Sequence, residues 1–428
     1  MKSNWLGNVA FNPYQFILPK TEAEIQSLVK QAKREGRKIR VVGSGHSWTP
    51  ACETDGYLLN LDHISGLLAI DSQNQTATVK AGTKLKHLNT LLWEKGYALI
   101  NLGSIAEQSI AGATATATHG TGIGFGNLSS AITALKIIDG EGELREFSLE
   151  TNPDIFSAFP VSIGCLGIIT EFTIKIVRKF YLREERKPML FEEALQNLPQ
   201  LLTACDHFKL WWFPYSGMVQ TYSVHRSSEE IQLKKKFNLL REDSKAAHAI
   251  FGFLLKLGNS RSFVPHINRF ISAIQFKTET NTGRSYDIFT MVTPPRHHES
   301  EYAIPVEKAA ECIVALKQLI EGQRHPVNFV AEIRFVKGDD LWLSPAYKRD
   351  VCYVGGYMAG EKGYANYLKA YETLMLSFGG RPHWGKEFSM ERQHFEQDYP
   401  RWNDFKQLRK QMDSGGLFEN EWLGKIFS

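Results

Sequence analysis

Glu332 and Arg334 stand two residues apart in Asn328-Phe329-Val330-Ala331-Glu332-Ile333-Arg334-Phe335, where every odd position is apolar. A period of two puts the acid and the guanidinium on one face of a strand and leaves the other face for packing. A carboxylate beside a fixed cation can hold substrate hydroxyls and face developing negative charge, although such a pair seen alone is as often a surface ion pair. His383 and Lys386, in Gly379-Gly380-Arg381-Pro382-His383-Trp384-Gly385-Lys386, add two groups able to handle a proton. An imidazole titrates near neutrality, and a desolvated lysine can stabilise an alkoxide or accept its proton. Either can serve.

Two other stretches offer backbone in place of charge. Gly43-Ser44-Gly45-His46-Ser47 follows a short apolar strand, and Ser109 to Gly122 contains almost nothing larger than threonine. Loops of this kind can aim N–H groups at an anion such as a pyrophosphate, and a flat group can lie close to them. Taken singly, each is more often a tight turn. Familiar nucleotide motifs are excluded: Gly380 to Lys386 has P-loop glycine spacing, but Glu387 replaces the magnesium-binding hydroxyl and Pro382 lies inside. Nor do Gly43-Ser44-Gly45 or Gly122-Ile123-Gly124 complete GxGxxG, which argues against NAD in a Rossmann domain.

The elements that must position these residues are readable. Thr21 and Glu24 form a capping box, Ile25, Leu28, Val29 and Ala32 keep helical spacing, and Gly36 is a stop. A strand over 39–42 then runs into the glycine turn. Further strands are expected over 57–61, 67–70, 76–81, 132–138 and 168–177, a helix over 85–95, and a hairpin at Asp139-Gly140. Beyond Arg178 the chain grows richer in aromatics, with amphipathic helices over 305–320, where Pro305 fits a first turn, and 364–378.

Length and composition bound the rest. A chain of 428 residues, 43% hydrophobic and 22% charged, fits two soluble domains. Its net charge of +4 and lack of basic runs argue against nucleic acid and against strong electrostatic membrane binding. Five scattered cysteines, Cys52, Cys165, Cys205, Cys312 and Cys352, suggest neither zinc nor a disulfide framework, so a reducing, cytoplasmic compartment is expected. The N-terminus lacks the apolar core of a signal peptide. One stretch, 246–274, is apolar and basic enough for an interfacial helix at a membrane, though a buried helix pair is the expectation.

VGSGHS followed by QSIAGATATATHGTG resembles the flavin-binding domain of the vanillyl-alcohol-oxidase superfamily. GGRPHWGK with the ExR of Glu332 and Arg334 resembles its aldonolactone oxidoreductase branch, and Asp413-Ser414-Gly415-Gly416-Leu417-Phe418-Glu419-Asn420 is similar to the closing DPxGxFxN, with Ser414 for proline. The resemblance implies an α+β fold: a two-lobed PCMH-type FAD-binding domain over 1–178 and a substrate domain over 179–378, its antiparallel sheet covered by helices. Residues 379–428 would return to the FAD domain and complete the active site.

It further implies FAD attached through His46, with no cysteine placed for a second link. Cofactor contacts would come from Val42, Gly43, Ser44, Gly45 and Ser47, from Gly103 and Ser104, and from Gly167 and Ile168. Ser109, Gly112, Ala113, Thr114, Thr116, Thr118, His119, Gly120 and Gly122 would supply the remainder. Glu332, Arg334, Lys386 and His383 become the catalytic candidates, with Trp384, Tyr353, Tyr357 and Asn328 facing the substrate. The implied reaction is oxidation of a small neutral sugar lactone at a carbinol carbon, with dioxygen as acceptor. Alternatives are an alditol oxidase, a lactone dehydrogenase with another acceptor, or a catalytically silent flavin- or carbohydrate-binding protein.

Overall fold

In the computed structural model, which describes residues 3–228, 262–291 and 293–427, the glycine turn hangs from a small parallel sheet. Strands β1 (Gln15–Ile17), β2 (Ile39–Val41) and β3 (Tyr57–Leu59) pair in the order β1-β3-β2. The helix Glu22–Glu35 lies between β1 and β2 in sequence. Its Thr21 side chain accepts from the Glu24 amide, Gly36 ends it in the left-handed region, and Ile25, Leu28, Val29 and Ala32 are buried.

A second sheet of five antiparallel strands follows, in the order β4-β5-β9-β7-β8: β4 (Leu67–Asp71), β5 (Thr76–Lys80), β7 (Ile132–Ile138), β8 (Leu144–Ser148) and β9 (Ile168–Lys175). The β7–β8 turn is closed by the Asp139 carboxylate, which accepts from the Glu141 and Glu143 amides. Between β6 (Tyr97–Ala98) and β7, the small-residue stretch forms a short helix, Ile110–Ala115, capped by the Ser109 hydroxyl. β6 pairs with β10 (Val177–Arg178).

The third sheet has eight strands in the order β14-β11-β13-β12-β16-β17-β15-β18. These are β11 (Tyr181–Leu190), β12 (His207–Trp212), β13 (Met218–Ser227), β14 (Glu279–Arg284), β15 (His298–Pro305), β16 (Ala331–Val336), β17 (Val351–Met358) and β18 (Arg381–Pro382). Every residue of β17 is buried, so both faces of the sheet centre are covered. The helices Ala309–Gly322 and Tyr364–Ser377 pack on each other, and the second also packs on β15 and β17. The first starts later than its sequence suggests: Pro305 ends β15 opposite Val351, and a 3-10 turn over Val306–Lys308 precedes Ala309. A proline without an N–H closes the strand's pairing as readily as it opens a helix.

Residues 246–261 of the amphipathic stretch lie outside the described residues. Its remainder contributes the helix Val264–Gln275, which buries Val264 and Ile271 and exposes Phe270 and Ile274. Among the described residues no helix is long and apolar enough to cross a membrane.

The C-terminal segment runs back along the first sheet. The Ile39 amide donates to the Leu417 carbonyl at 2.9 Å, the Gly140 amide to Met412 at 2.8 Å, and Asn420 to the Pro50 and Glu53 carbonyls. Its turn is held by Asp413, whose carboxylate accepts from the Leu417 and Phe418 amides, so Ser414 needs no proline ring to shape it.

Candidate active site

β12, β16, β17 and β15 lie side by side, and their register decides what faces what. Trp211 on β12 is opposite Glu332 on β16, Lys209 is opposite Arg334, and Glu299 on β15 is opposite Tyr357 on β17. The Glu332 carboxylate is thereby enclosed by donors: Arg334 Nη2 at 2.6 Å, Trp211 Nε1 at 2.9 Å and Lys209 Nζ at 3.1 Å. Burial would raise its pKa, but Arg334, Lys209 and Trp211 outweigh that and bring it to about 2. Glu332 is a fixed carboxylate and a poor proton acceptor. Arg334 also donates to the Ser104 hydroxyl at 2.8 Å, which ties the large sheet to the first half of the chain.

Lys386 reaches the same wall from the turn after β18. Its ammonium lies 2.5 Å from Glu299 and 4.1 Å above the Trp48 ring. His383 is 5% exposed, and its Nδ1 accepts from the Gly385 amide. Burial first, then Lys386 and His119, lower its pKa to about 3 against the opposing pull of Glu301. It is a neutral imidazole at ordinary pH. His119 stacks on Tyr353 at 3.6 Å between ring centroids and faces Glu301 at 3.4 Å. His119, Glu301 and His383 are close enough to share an ion; all three are buried side chains in the wall that Glu332, Arg334 and Lys386 also form.

Glu332, Arg334, Lys386, His383, His119, Glu299 and Glu301 line one cavity of about 1450 Å³, counting the part open to solvent, whose aromatic walls are Trp5, Trp48, Trp211, Phe213, Phe329 and Tyr357. A second cavity of about 1210 Å³ runs beside it, walled by Val42 to Ser47, Ala81, Gly82, Ser109, Gly112, Gly164, Gly167, Ile168 and Phe418. His46, Ser47, Gln108 and Thr116 line both. His46 therefore stands at the junction, and burial, with Lys386 adding to it, lowers its pKa and favours the neutral ring.

The lining of the second cavity suits a pyrophosphate, as a dinucleotide cofactor carries. Its glycine turn leaves room only for main chain: a Cβ on Gly43 would lie 2.3 Å from Ser109 Oγ, and Gly45 has a φ of 69°. Among the described residues none of the amides from 43 to 47 donates to a protein acceptor, so they are available to an anion.

Of the residues singled out from sequence, Gly103, Ser104, Thr118 and His119 line the first cavity with the four catalytic candidates. Four others line neither cavity. Ala113 and Thr114 are fully buried, and the Thr114 hydroxyl donates to Ile110 O; Gly120 packs on Asn101 and Leu102; the Gly122 amide donates to Phe335 O. Smallness there serves close packing of the stretch against its neighbours.

The expected aromatic wall is corrected as well. Trp384 is fully buried among Phe388, Phe395 and Tyr399, with its indole N–H on Leu343 O; Tyr353 lies behind His119; Asn328 is buried and bonds Ala359. Only Tyr357 of that group lines the cavity. Sequence reading missed Trp5, Lys209, Trp211, His297, Glu299 and Glu301. The one available signal was the alternation His297, Glu299, Glu301, which puts three titratable groups on one side of a strand.

Comparison with known proteins gives this arrangement its family. Residues 13–148 match a family model described as FAD binding domain, and residues 172–426 match one described as D-arabinono-1,4-lactone oxidase. The chain is 33% identical to L-gulonolactone oxidase of Mus musculus, covering 99% of this chain and 97% of that protein. It is 32% identical to L-gulono-1,4-lactone dehydrogenase of Mycobacterium tuberculosis, over 99% and 98%. D-arabinono-1,4-lactone oxidase of Eremothecium gossypii is 38% identical over 81% of this chain and 67% of its own. Among solved structures, a cholesterol oxidase from B. sterolicum superimposes with a TM-score of 0.84 at 18% identity, over 100% of this chain and 96% of that one, which establishes a shared fold. With an FAD-binding half, a lactone-oxidase half and full-length relatives of that kind, the chain belongs to the D-arabinono-1,4-lactone oxidase family and is a flavin-dependent oxidoreductase acting on CH–OH donors.

Proposed function

We propose that the protein oxidises an aldono-1,4-lactone of the gulonolactone or arabinonolactone type at a carbinol carbon, with FAD held covalently through His46 and dioxygen as the final acceptor. The observation that carries this reading is the position of His46 at the junction of two cavities, one lined by the glycine turn and the other by rings, Glu332, Arg334 and Lys386. FAD, when bound, supplies the hydride acceptor, and dioxygen takes up the two electrons with two protons as hydrogen peroxide.

The residues do the rest. Val42 to Ser47, Ser109, Gly112 and Gly167 would hold the dinucleotide, and the uncharged His46 ring is the form that can bond to the flavin. Glu332 accepts from a substrate hydroxyl and orients the ring. Arg334 and Lys386 face the oxygen that gains negative charge as its proton leaves to solvent through the open side of the cavity, the proton being taken up again in the peroxide. Trp211, Phe329 and Tyr357 cover the apolar faces of a compact sugar ring.

A second reading, an alditol oxidase, is favoured by one observation: Glu299, Glu301 and His297 give this cavity more hydrogen-bonding groups than its motifs suggest. The test is anaerobic flavin bleaching and kcat/KM for gulonolactone, galactonolactone and arabinonolactone against xylitol and sorbitol, with oxygen and an artificial dye as rival acceptors. A preference for alditols above about tenfold, roughly 1.4 kcal/mol, overturns the lactone assignment. Turnover with the dye alone overturns the oxidase assignment.

A further inference from the structure

Glu299 is a buried carboxylate that the proposed reaction leaves without a task. Its side chain is 8% exposed, with Lys386 Nζ at 2.5 Å and His297 Nε2 at 3.6 Å. His297 Nδ1 lies 2.7 Å from the Pro295 carbonyl oxygen; a carbonyl only accepts, so that nitrogen carries a proton and Nε2 is the one turned to Glu299. His297 is itself clamped, stacked on Phe329 at 4.5 Å between centroids, while its carbonyl accepts from the Trp48 indole at 3.0 Å. The same Trp48 ring lies under the Lys386 ammonium. A lysine carries a point charge on a flexible four-carbon stem, and here its tip is fixed from two sides.

We infer that Glu299 is a positioning residue for the oxidation: it holds the Lys386 ammonium in the cavity wall where the reaction needs a fixed cation. The inference rests on the flavin-dependent oxidation proposed above. Replacing the carboxylate with an amide would leave a cation in a buried wall without its counter-ion, and such a cation gives up its proton more readily. Other titratable groups facing the pair are Glu301 on the same strand, His383 beside the lysine, Tyr357 on β17, Tyr364 from the helix beyond it, and His46. All of them stay in place in Glu299→Gln, so a change of profile reports the pair.

The experiment uses the FAD-loaded enzyme and two readouts across pH 6 to 9: the anaerobic rate of flavin reduction, and the affinity for sulfite, an anion that bleaches flavin without any substrate. Glu299→Gln should approach the wild-type values at pH 6 and fall at least tenfold below them at pH 9, its alkaline limb moving down by more than one pH unit in both readouts. A uniform loss at every pH, or no loss, overturns the inference. Should the single variant not fold, Glu299→Gln/Lys386→Met removes both charges together and is compared with Lys386→Met. Equal rates and sulfite affinities support the inference, and a further tenfold loss overturns it. If no lactone or alditol reduces the wild-type flavin, the functional reading fails, and the sulfite limb alone decides the role of Glu299.

Discussion

The variant His383→Gln measures how the buried part of the cavity wall is charged. In the unfolded chain an imidazole titrates near 6.5, whereas the folded protein holds His383 at about 3, chiefly by burial. The folded state thus favours the neutral ring. Stability from this source is fully present above pH 6.5 and is lost as pH falls from 6.5 toward 3, because the unfolded chain binds the extra proton. Between pH 8 and pH 5 the loss is ~1.36 kcal/mol per pH unit over about 1.5 units, or ~2 kcal/mol. An unfolding entropy of ~2.1 cal/mol/K per residue gives ~0.9 kcal/mol/K for a chain of 428 residues, so the Tm should move by ~2 °C. Melting curves of the FAD-loaded wild type and variant, taken from pH 8 to pH 5, provide the comparison. Acid titration of other groups is common to both proteins, so the wild type should lose ~2 °C more than the variant. Parallel curves would refute the claim that His383 is held neutral, and with it the assignment of the working cation to Lys386 and Arg334.

The flavin link is checked by acid precipitation: colour should stay with the wild-type polypeptide, and His46→Ala should release its FAD into the supernatant. Arg334→Ala and Lys386→Ala should each slow flavin reduction by about two orders of magnitude or more in stopped flow, with FAD content unchanged, the scale of losing one preorganised charge. Lys209→Met, which leaves Arg334 and Trp211 on Glu332, should raise KM by roughly tenfold, on the order of 1.4 kcal/mol, with a smaller change in kcat; an unchanged KM would show that two donors suffice. Gly355→Ala would place a Cβ 2.6 Å from the Tyr357 ring, and urea unfolding should show a loss of about 1–3 kcal/mol together with weaker substrate binding.

What the sequence disclosed and what it withheld divide along physical lines. Helix Glu22–Glu35 was legible because its cap, apolar spacing and glycine stop agree, and strand Ala331–Val336 because one face is polar by necessity. Strand β15 was not, since all of its residues up to Ile304 are buried and alternation loses its contrast. Lys209 and Trp211 reach Glu332 through strand register, a property of pairing across 121 to 123 residues that no local pattern encodes. Trp384 misled because its motif neighbours His383 and Lys386 do line the cavity, yet the turn sends the indole into the core.

Arg40 illustrates how late the cofactor cavity is finished. Its buried guanidinium donates to the carbonyls of Ala51, Ile163, Gly164 and Phe418, drawing three chain segments to one point beside β2. Phe418 then walls the cavity whose opposite side is Val42 to Ser47, and Trp5 closes the neighbouring one. A ribosome adds 378 residues between Arg40 and Phe418 before these walls can meet, so the glycine turn emerges first and waits for its partner. A closed cofactor cavity therefore exists only after Phe418 has been made and docked on Arg40.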